Sequence, residues 1–164
     1  MYLSIDVGYK NDRALAIGLG FSEISSQKED FLIQSETLIN SEYIPGEFYK
    51  KELPPILDLL KKNSHFLQLI FIDGYVWLGE KKGLGAHLYD SLNPKIPVVG
   101  IAKTEFKFAN SNSIQVFRKE SKRPLFISSI GVELEEAGNL VRSMYGKYRI
   151  PELIKRTDRL TKGG

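Results

Sequence analysis

Residues Leu67 to Lys103, LQLIFIDGYVWLGEKKGLGAHLYDSLNPKIPVVGIAK, decide the architecture. Leu67 to Ile72 is an apolar run broken only by Gln68, and it stops at Asp73-Gly74. A short apolar run closed by a turn signal reads as a buried strand, which places Asp73 at the carboxyl end of a central strand. A Gly-rich link leads into a short helical pattern at Ala86 to Leu92, and Ile96 to Ala102 is a second apolar run ending in Lys103. Strand, helix, strand in this order makes a unit whose two strands run parallel. Ligands of open sheets collect outside the carboxyl ends of the strands, where Asp73 and Lys103 both stand. A carboxylate and an ammonium facing one crevice point to an anionic substrate, with a metal.

Upstream, Tyr2 to Val7 and Arg13 to Phe21 are apolar runs joined by Gly8 to Asp12, a turn rich in Gly, Lys, Asn and Asp, and they form a hairpin. Phe31 to Ile39 follows the polar link Ser22 to Asp30 as a third strand, giving an antiparallel meander. Ser41 to Gly46 is a loop closed by Pro45-Gly46. Within Glu47 to Lys62, residues Leu53, Ile56, Leu57 and Leu60 carry helical spacing, and Pro54-Pro55 set the start of the regular part. Downstream, Ile114 to Phe117 and Leu125 to Ile130 are short strands flanking the basic loop Arg118 to Pro124. Gly131 to Met144 reads as a helix and Pro151 to Leu160 as a polar, helix-compatible tail. The expected architecture is one α/β domain over residues 1–164: ribonuclease H-like, with a mixed central sheet of three antiparallel strands then parallel strands, flanked by helices.

Composition frames this. The 164 residues are 42% hydrophobic and 26% charged, enough for one domain with one core. No run approaches a membrane span or a leader peptide, so the expectation is a cytoplasmic chain with no membrane partner. The absence of cysteine excludes disulfides and thiolate metal sites. A formal charge of +3 permits a nucleic-acid partner without requiring one.

Asp6, flanked by Ile5 and Val7, lies inside the first apolar run, where an acid is costly without a partner. If strand one is central, Asp6 and Asp73 approach within a metal's reach, and paired acids of this kind hold Mg²⁺ or Mn²⁺ for phosphoryl chemistry. The plainer alternatives are an edge-strand Asp6 facing solvent and an Asp73 that merely forms a turn.

Six segments in register resemble the endonuclease V family: IDVGY at Ile5 to Tyr9, YIPGEFYKKE at Tyr43 to Glu52, IDG at Ile72 to Gly74, GLGAHL at Gly83 to Leu88, PVVGIAK at Pro97 to Lys103 and YRIPELIKRTDRLTK at Tyr148 to Lys162. The resemblance implies a ribonuclease H-like endonuclease that, with Mg²⁺ (or Mn²⁺), nicks DNA or RNA containing inosine on the 3′ side of the deaminated purine, in DNA repair or RNA processing, as a monomer. It implies Asp6, Glu52, Asp73 and Lys103 as catalytic residues, with Asp6, Glu52, Asp73 and Asp158 as metal ligands. Without it, Glu52 reads as a solvated helix residue and Asp158 as a surface acid. It also makes Tyr43, Ile44, Pro45 and Gly46 a wedge entering the duplex, and Gly74, Gly83 and Gly85 a backbone surface reading the extruded base. The basic residues Lys81, Lys82, Lys119, Lys122, Arg123, Lys147, Arg149, Lys155, Arg156 and Arg159 are phosphate contacts or simply solvated.

The departures are as definite. Tyr75 to Lys82, YVWLGEKK, replaces a family segment that runs through small residues to His-Pro-Arg, and neither His65 nor His87 substitutes for its histidine. Tyr75 and Trp77 offer stacking surface there or fill core. Two other readings follow: a non-catalytic or retargeted nucleic-acid-binding relative, and another ribonuclease H-like nuclease such as a junction resolvase, against which the wedge loop argues.

Overall fold

The computed structural model describes residues 1–39 and 47–163. The wedge residues Tyr43, Ile44, Pro45 and Gly46 lie outside the described residues.

Strands β1 (Tyr2–Lys10), β2 (Arg13–Phe21) and β3 (Phe31–Leu38) form the expected antiparallel meander. The first strand runs three residues further than the sequence pattern suggests, through Gly8 to Lys10. The turn narrows to Asn11-Asp12, with Asn11 at φ 57°, because asparagine tolerates the left-handed backbone that a two-residue connection needs.

Helix α1 (Tyr49–Lys61) also begins earlier than expected and carries Pro54 and Pro55 inside it. These prolines fall close enough to the start that only the carbonyls of the first turn lose a partner. The consequence is functional, since Glu52 becomes a residue of the first helical turn. β4 (Leu69–Asp73), α2 (Leu84–Ser91) and β7 (Val98–Ala102) are the predicted parallel unit, with β4 pairing β1 on one side and β7 on the other. Between them lies a hairpin the sequence did not announce, β5 (Trp77–Leu78) and β6 (Lys81–Lys82). A 3-10 turn at Lys107–Asn112 leads to β8 (Ile114–Val116) and β9 (Leu125–Ile130), and helices α3 (Leu134–Ser143) and α4 (Glu152–Thr161) finish the chain. The sheet order is β3-β2-β1-β4-β7-β9-β8, the ribonuclease H-like arrangement expected. Among the described residues no helix is long and apolar enough to cross a membrane.

Alternation along the strands sorts side chains to the two faces. Leu3, Ile5 and Val7 of β1 and Ile70 and Ile72 of β4 pack with Ile56 and Leu59 of α1 and Leu88 of α2. On the other face Leu69 and Phe71 of β4 and Val99 and Ile101 of β7 pack with Val141 of α3 and Leu153 of α4. By the same parity Asp6, Asp73 and Lys103 belong to the face that α4 covers, at or just beyond the strand ends.

Candidate active site

Three elements deliver the carboxylates. β1 and β4 are adjacent and parallel, with Ile5 opposite Ile72, so Asp6 and Asp73, each one residue on, emerge side by side. α4 then lies across them with Asp158 in its last turns. Gly8 makes that close approach possible, because a Cβ there would stand 2.4 Å from the Thr161 carbonyl oxygen. A buried bond between Ser4 Oγ and Thr157 Oγ1, 2.8 Å, fixes the register of helix on strand. From the opposite face, α1 brings Glu52 over the same strand ends.

The result is an open cleft of about 760 Å³ with Asp6, Glu52, Asp73 and Asp158 on its walls together with Tyr9, Thr161 and Lys162. Behind it a narrow crevice holds Asp6, Asp73 and Asp158 with Lys103. All four predicted acids and the lysine are therefore brought together from five separate segments.

The acids are crowded and short of counter-charge. Burial, the nearby Asp73 and a hydrogen bond donated to Asp158 push Asp6 up to about 7. Burial and Asp6 push Glu52 to about 7, against the stabilising bond it receives from Tyr9. Withdrawal from water also raises Asp73, although Lys103 opposes the shift. Asp158 is the exception. Burial works against its charge, but Lys162 Nζ donates to its Oδ2 at 3.1 Å and Asp6 donates as well, so its carboxyl falls below the usual range. Thr161 Oγ1 donates to the Asp158 carbonyl at 2.6 Å and lies 3.4 Å from Asp6 Oδ2. Tyr9 is pushed up by burial and by Glu52, and Lys51 Nζ sits 4.1 Å from its ring centre. Neither Tyr9 nor Thr161 is singled out as a site residue in the sequence, although both lie in segments that carry the resemblance; Tyr9, three residues past Asp6, is on the face of β1 that packs toward α1.

A hard divalent cation suits this donor set. Its ligands would be carboxylate oxygens, and its charge would remove the repulsion that now holds protons on Asp6 and Glu52. Among the described residues no three His, Cys, Asp or Glu side chains stand close enough together, as placed, to hold a metal ion.

The other predicted residues fall as follows. Gly74 has φ 114° and open space around its α-carbon. Gly83 and Gly85 lie against backbone or side-chain atoms of Tyr75 and Val76, where a Cβ would stand 2.7 and 2.6 Å from the nearest atom, and they seat α2 on that segment. His87 stacks on Tyr49, ring centres 3.6 Å apart, away from the acids. Arg149 donates to the carbonyls of Lys103 and Pro124, Lys82 pairs with Asp90, and Arg156 pairs with Glu29 at 2.8 Å. These three cations are thereby committed within the protein.

A mixed sheet of this order with acids from β1, β4 and two flanking helices defines a ribonuclease H-like nuclease. The sequence profile described as Endonuclease V matches residues 2–115, and the chain belongs to the endonuclease V family. It is accordingly a nuclease, a hydrolase of phosphodiesters. The endonuclease V of Azotobacter vinelandii is 29% identical over 180 residues, 95% of this chain and 79% of that protein. That of Pyrococcus horikoshii is 25% identical over 162 residues, 98% and 72% respectively. Among solved structures, Streptomyces avermitilis endonuclease V superimposes with a TM-score of 0.80 at 21% identity, covering 99% of this chain and 79% of that one. The Ciona intestinalis enzyme, in complex with DNA containing an inosine, gives 0.80 at 18% identity, covering 99% and 83%.

Proposed function

We propose that this chain is a metal-dependent endonuclease that nicks nucleic acid 3′ to a deaminated purine, inosine or deoxyinosine. The observation that carries it is the convergence of Asp6, Glu52, Asp73 and Asp158 with Lys103 at the strand ends. Family membership supports the reaction, and the inosine-containing DNA bound by the Ciona relative supports the lesion.

Asp6, Glu52, Asp73 and Asp158 are the residues that would hold Mg²⁺ or Mn²⁺. When bound, such an ion lowers the pKa of a coordinated water and offsets charge on the phosphoryl oxygens. Lys103 presents a point charge to the scissile phosphate from the end of β7. Tyr9 and Thr161 orient Glu52 and Asp6, and Lys162 keeps Asp158 ionised. Gly74 leaves room beside Asp73 for a close approach of substrate, and Tyr43 to Gly46, as the wedge, would fill the gap left in the stack. The protein acts as a monomer in the cytoplasm.

Nicking of matched single-stranded and duplex DNA and RNA, with and without one inosine, in Mg²⁺ or Mn²⁺ tests this. Inosine-dependent nicking that Asp73→Asn abolishes is the expected result. Binding without nicking by the wild-type protein would leave the retargeted, non-catalytic reading.

A further inference from the structure

Beyond Lys103 the rim of the sheet carries aromatic surface that the carboxylate cleft does not use. Phe108 is 78% exposed and meets the half-buried Phe106 edge-on, ring centres 5.6 Å apart at 61°. Tyr75 lies tilted against Phe106 at 6.1 Å. A single exposed apolar side chain is ordinary, whereas neighbouring exposed rings on one rim make a patch that marks a binding surface. Here the backbone that carries it is fixed. The Phe106 N–H donates to Tyr75 Oη at 3.0 Å, and Tyr75 Oη donates to the Thr104 carbonyl at 2.7 Å. Asn112 Nδ2 donates to the Gly79 carbonyl at 2.9 Å, locking the 3-10 turn to the tip of the β5–β6 hairpin. Gly79 itself adopts φ 66° and passes so close to the Phe108 carbonyl that a Cβ would stand 2.9 Å from it. Trp77 Nε1 donates to the Ser129 carbonyl at 3.2 Å, pinning the hairpin to the sheet.

Hairpin and turn together enclose an open pocket of about 490 Å³, with Phe106 and Phe108 on one wall and Leu78, Glu80 and Lys81 on the other. We propose that Phe108, backed by Phe106, is a stacking subsite for an unpaired base of the strand being cut, flanking the phosphate held at the carboxylates. The subsite rests on the nuclease reading. It shares the rim with the reacting groups by chain continuity: Tyr75 is two residues from Asp73, and Phe106 is three from Lys103. A base is the fitting occupant because every base presents a π-face to an exposed ring, whatever the sequence. Its flanking phosphates would meet Lys81, Lys103 and Lys107, which outnumber the nearby acids Glu80 and Glu105. An apolar protein partner would instead find its contact area ringed by these ions.

The test is strand binding by the full chain, read by 2-aminopurine placed in turn at the positions either side of the cleavage point of an inosine oligonucleotide, with nicking scored separately. In the wild-type protein the probe is quenched at one of these positions. Phe108→Ala abolishes that quenching and raises KM at least about five-fold with kcat unchanged, the size expected for one lost base stack. Phe108→Tyr restores both. Because Phe108 is exposed, none of these changes threatens folding. Unchanged quenching and KM in Phe108→Ala, or full function in Phe108→Leu, which keeps apolar area without a π-face, would overturn the subsite. A protein that quenches the probe yet never nicks would keep the subsite and remove the nuclease reading instead.

Discussion

The two ends of α4 treat buried charge in opposite ways. At the end that leads into the helix, Arg118 is 1% exposed, and among the described residues no acid pairs with it. Its guanidinium donates to the carbonyls of Val141 at 3.1 Å, Met144 at 2.6 Å, Gly146 at 3.0 Å and Tyr148 at 2.5 Å, with a longer bond to Arg149 at 3.4 Å. Every donor direction is used, and the orphan carbonyls at the end of α3 are satisfied in the same stroke. At the far end Asp6, Glu52 and Asp73 crowd together with Lys51, Lys103 and Lys162 as the nearby cations, and burial plus repulsion from neighbouring carboxylates holds all three above their ordinary range. A saturated buried charge builds structure; an unsaturated cluster stores an interaction for something that arrives later.

Removing one charge at each end separates these roles. Asp73→Asn is expected to lower nicking by about three orders of magnitude, the loss of several kcal/mol of transition-state stabilisation. Melting temperature should stay level or rise, since a repulsive carboxylate has gone. A large fall in melting temperature would mean that the cluster is structural after all.

Arg118→Met reverses the pattern. Five carbonyl contacts lose their donor at a buried position, and breaking such a buried set costs about 3–5 kcal/mol. Denaturant unfolding should show the loss directly. Nicking would fall with it, because the segment 144–151 that launches α4 toward Asp6 loses its clasp.

How far this contrast is legible in the sequence differs between the two ends. Asp6, Asp73 and Lys103 are visible because alternation in apolar runs fixes both their depth and their face; the strand–helix–strand pattern supplies the adjacency. Glu52 and Asp158 sit on amphipathic helices among other charged residues, where spacing alone makes them solvated, and only the family resemblance singles them out. Arg118 was invisible. It reads as the first residue of a basic loop, and nothing local announces that five carbonyls from a segment 23 to 31 residues later will close on it. The β5–β6 hairpin was missed for a related reason: two-residue strands carry no periodicity, and the Trp77 and Asn112 side chains that anchor it bond to distant backbone.

The acid end should also announce itself in pH. Asp6 and Glu52 titrate near 7 in the folded protein and near 4 when unfolded. Between those values the native state binds more protons than the unfolded state, so their contribution is fully present below pH 4 and is lost as pH rises through 7. Melting temperature is expected to decline across that window and level off above it. Mg²⁺ should flatten the decline, and Asp6→Asn should shrink it. A melting temperature that rises from pH 4 to 7 would contradict the crowding.

The smallest expected effect lies between the two ends, at Thr157. Its Oγ1 donates to the Leu153 carbonyl at 2.6 Å, so in the 2.8 Å bond to Ser4 the Ser4 hydroxyl is the donor. Thr157→Val keeps the shape and leaves that donor buried without an acceptor, a loss of about 1–2 kcal/mol. Adding Ser4→Ala removes the orphan, and the double variant should recover most of the stability, giving a coupling measurable by a double-mutant cycle. Because Arg118 still holds one end of α4 and Lys162, Thr161 and Gly8 the other, kcat should not change. If kcat falls in Thr157→Val while stability in the double variant is restored, the middle of the helix sets the placement of Asp158, and the clasp at Arg118 acts on the site only through it.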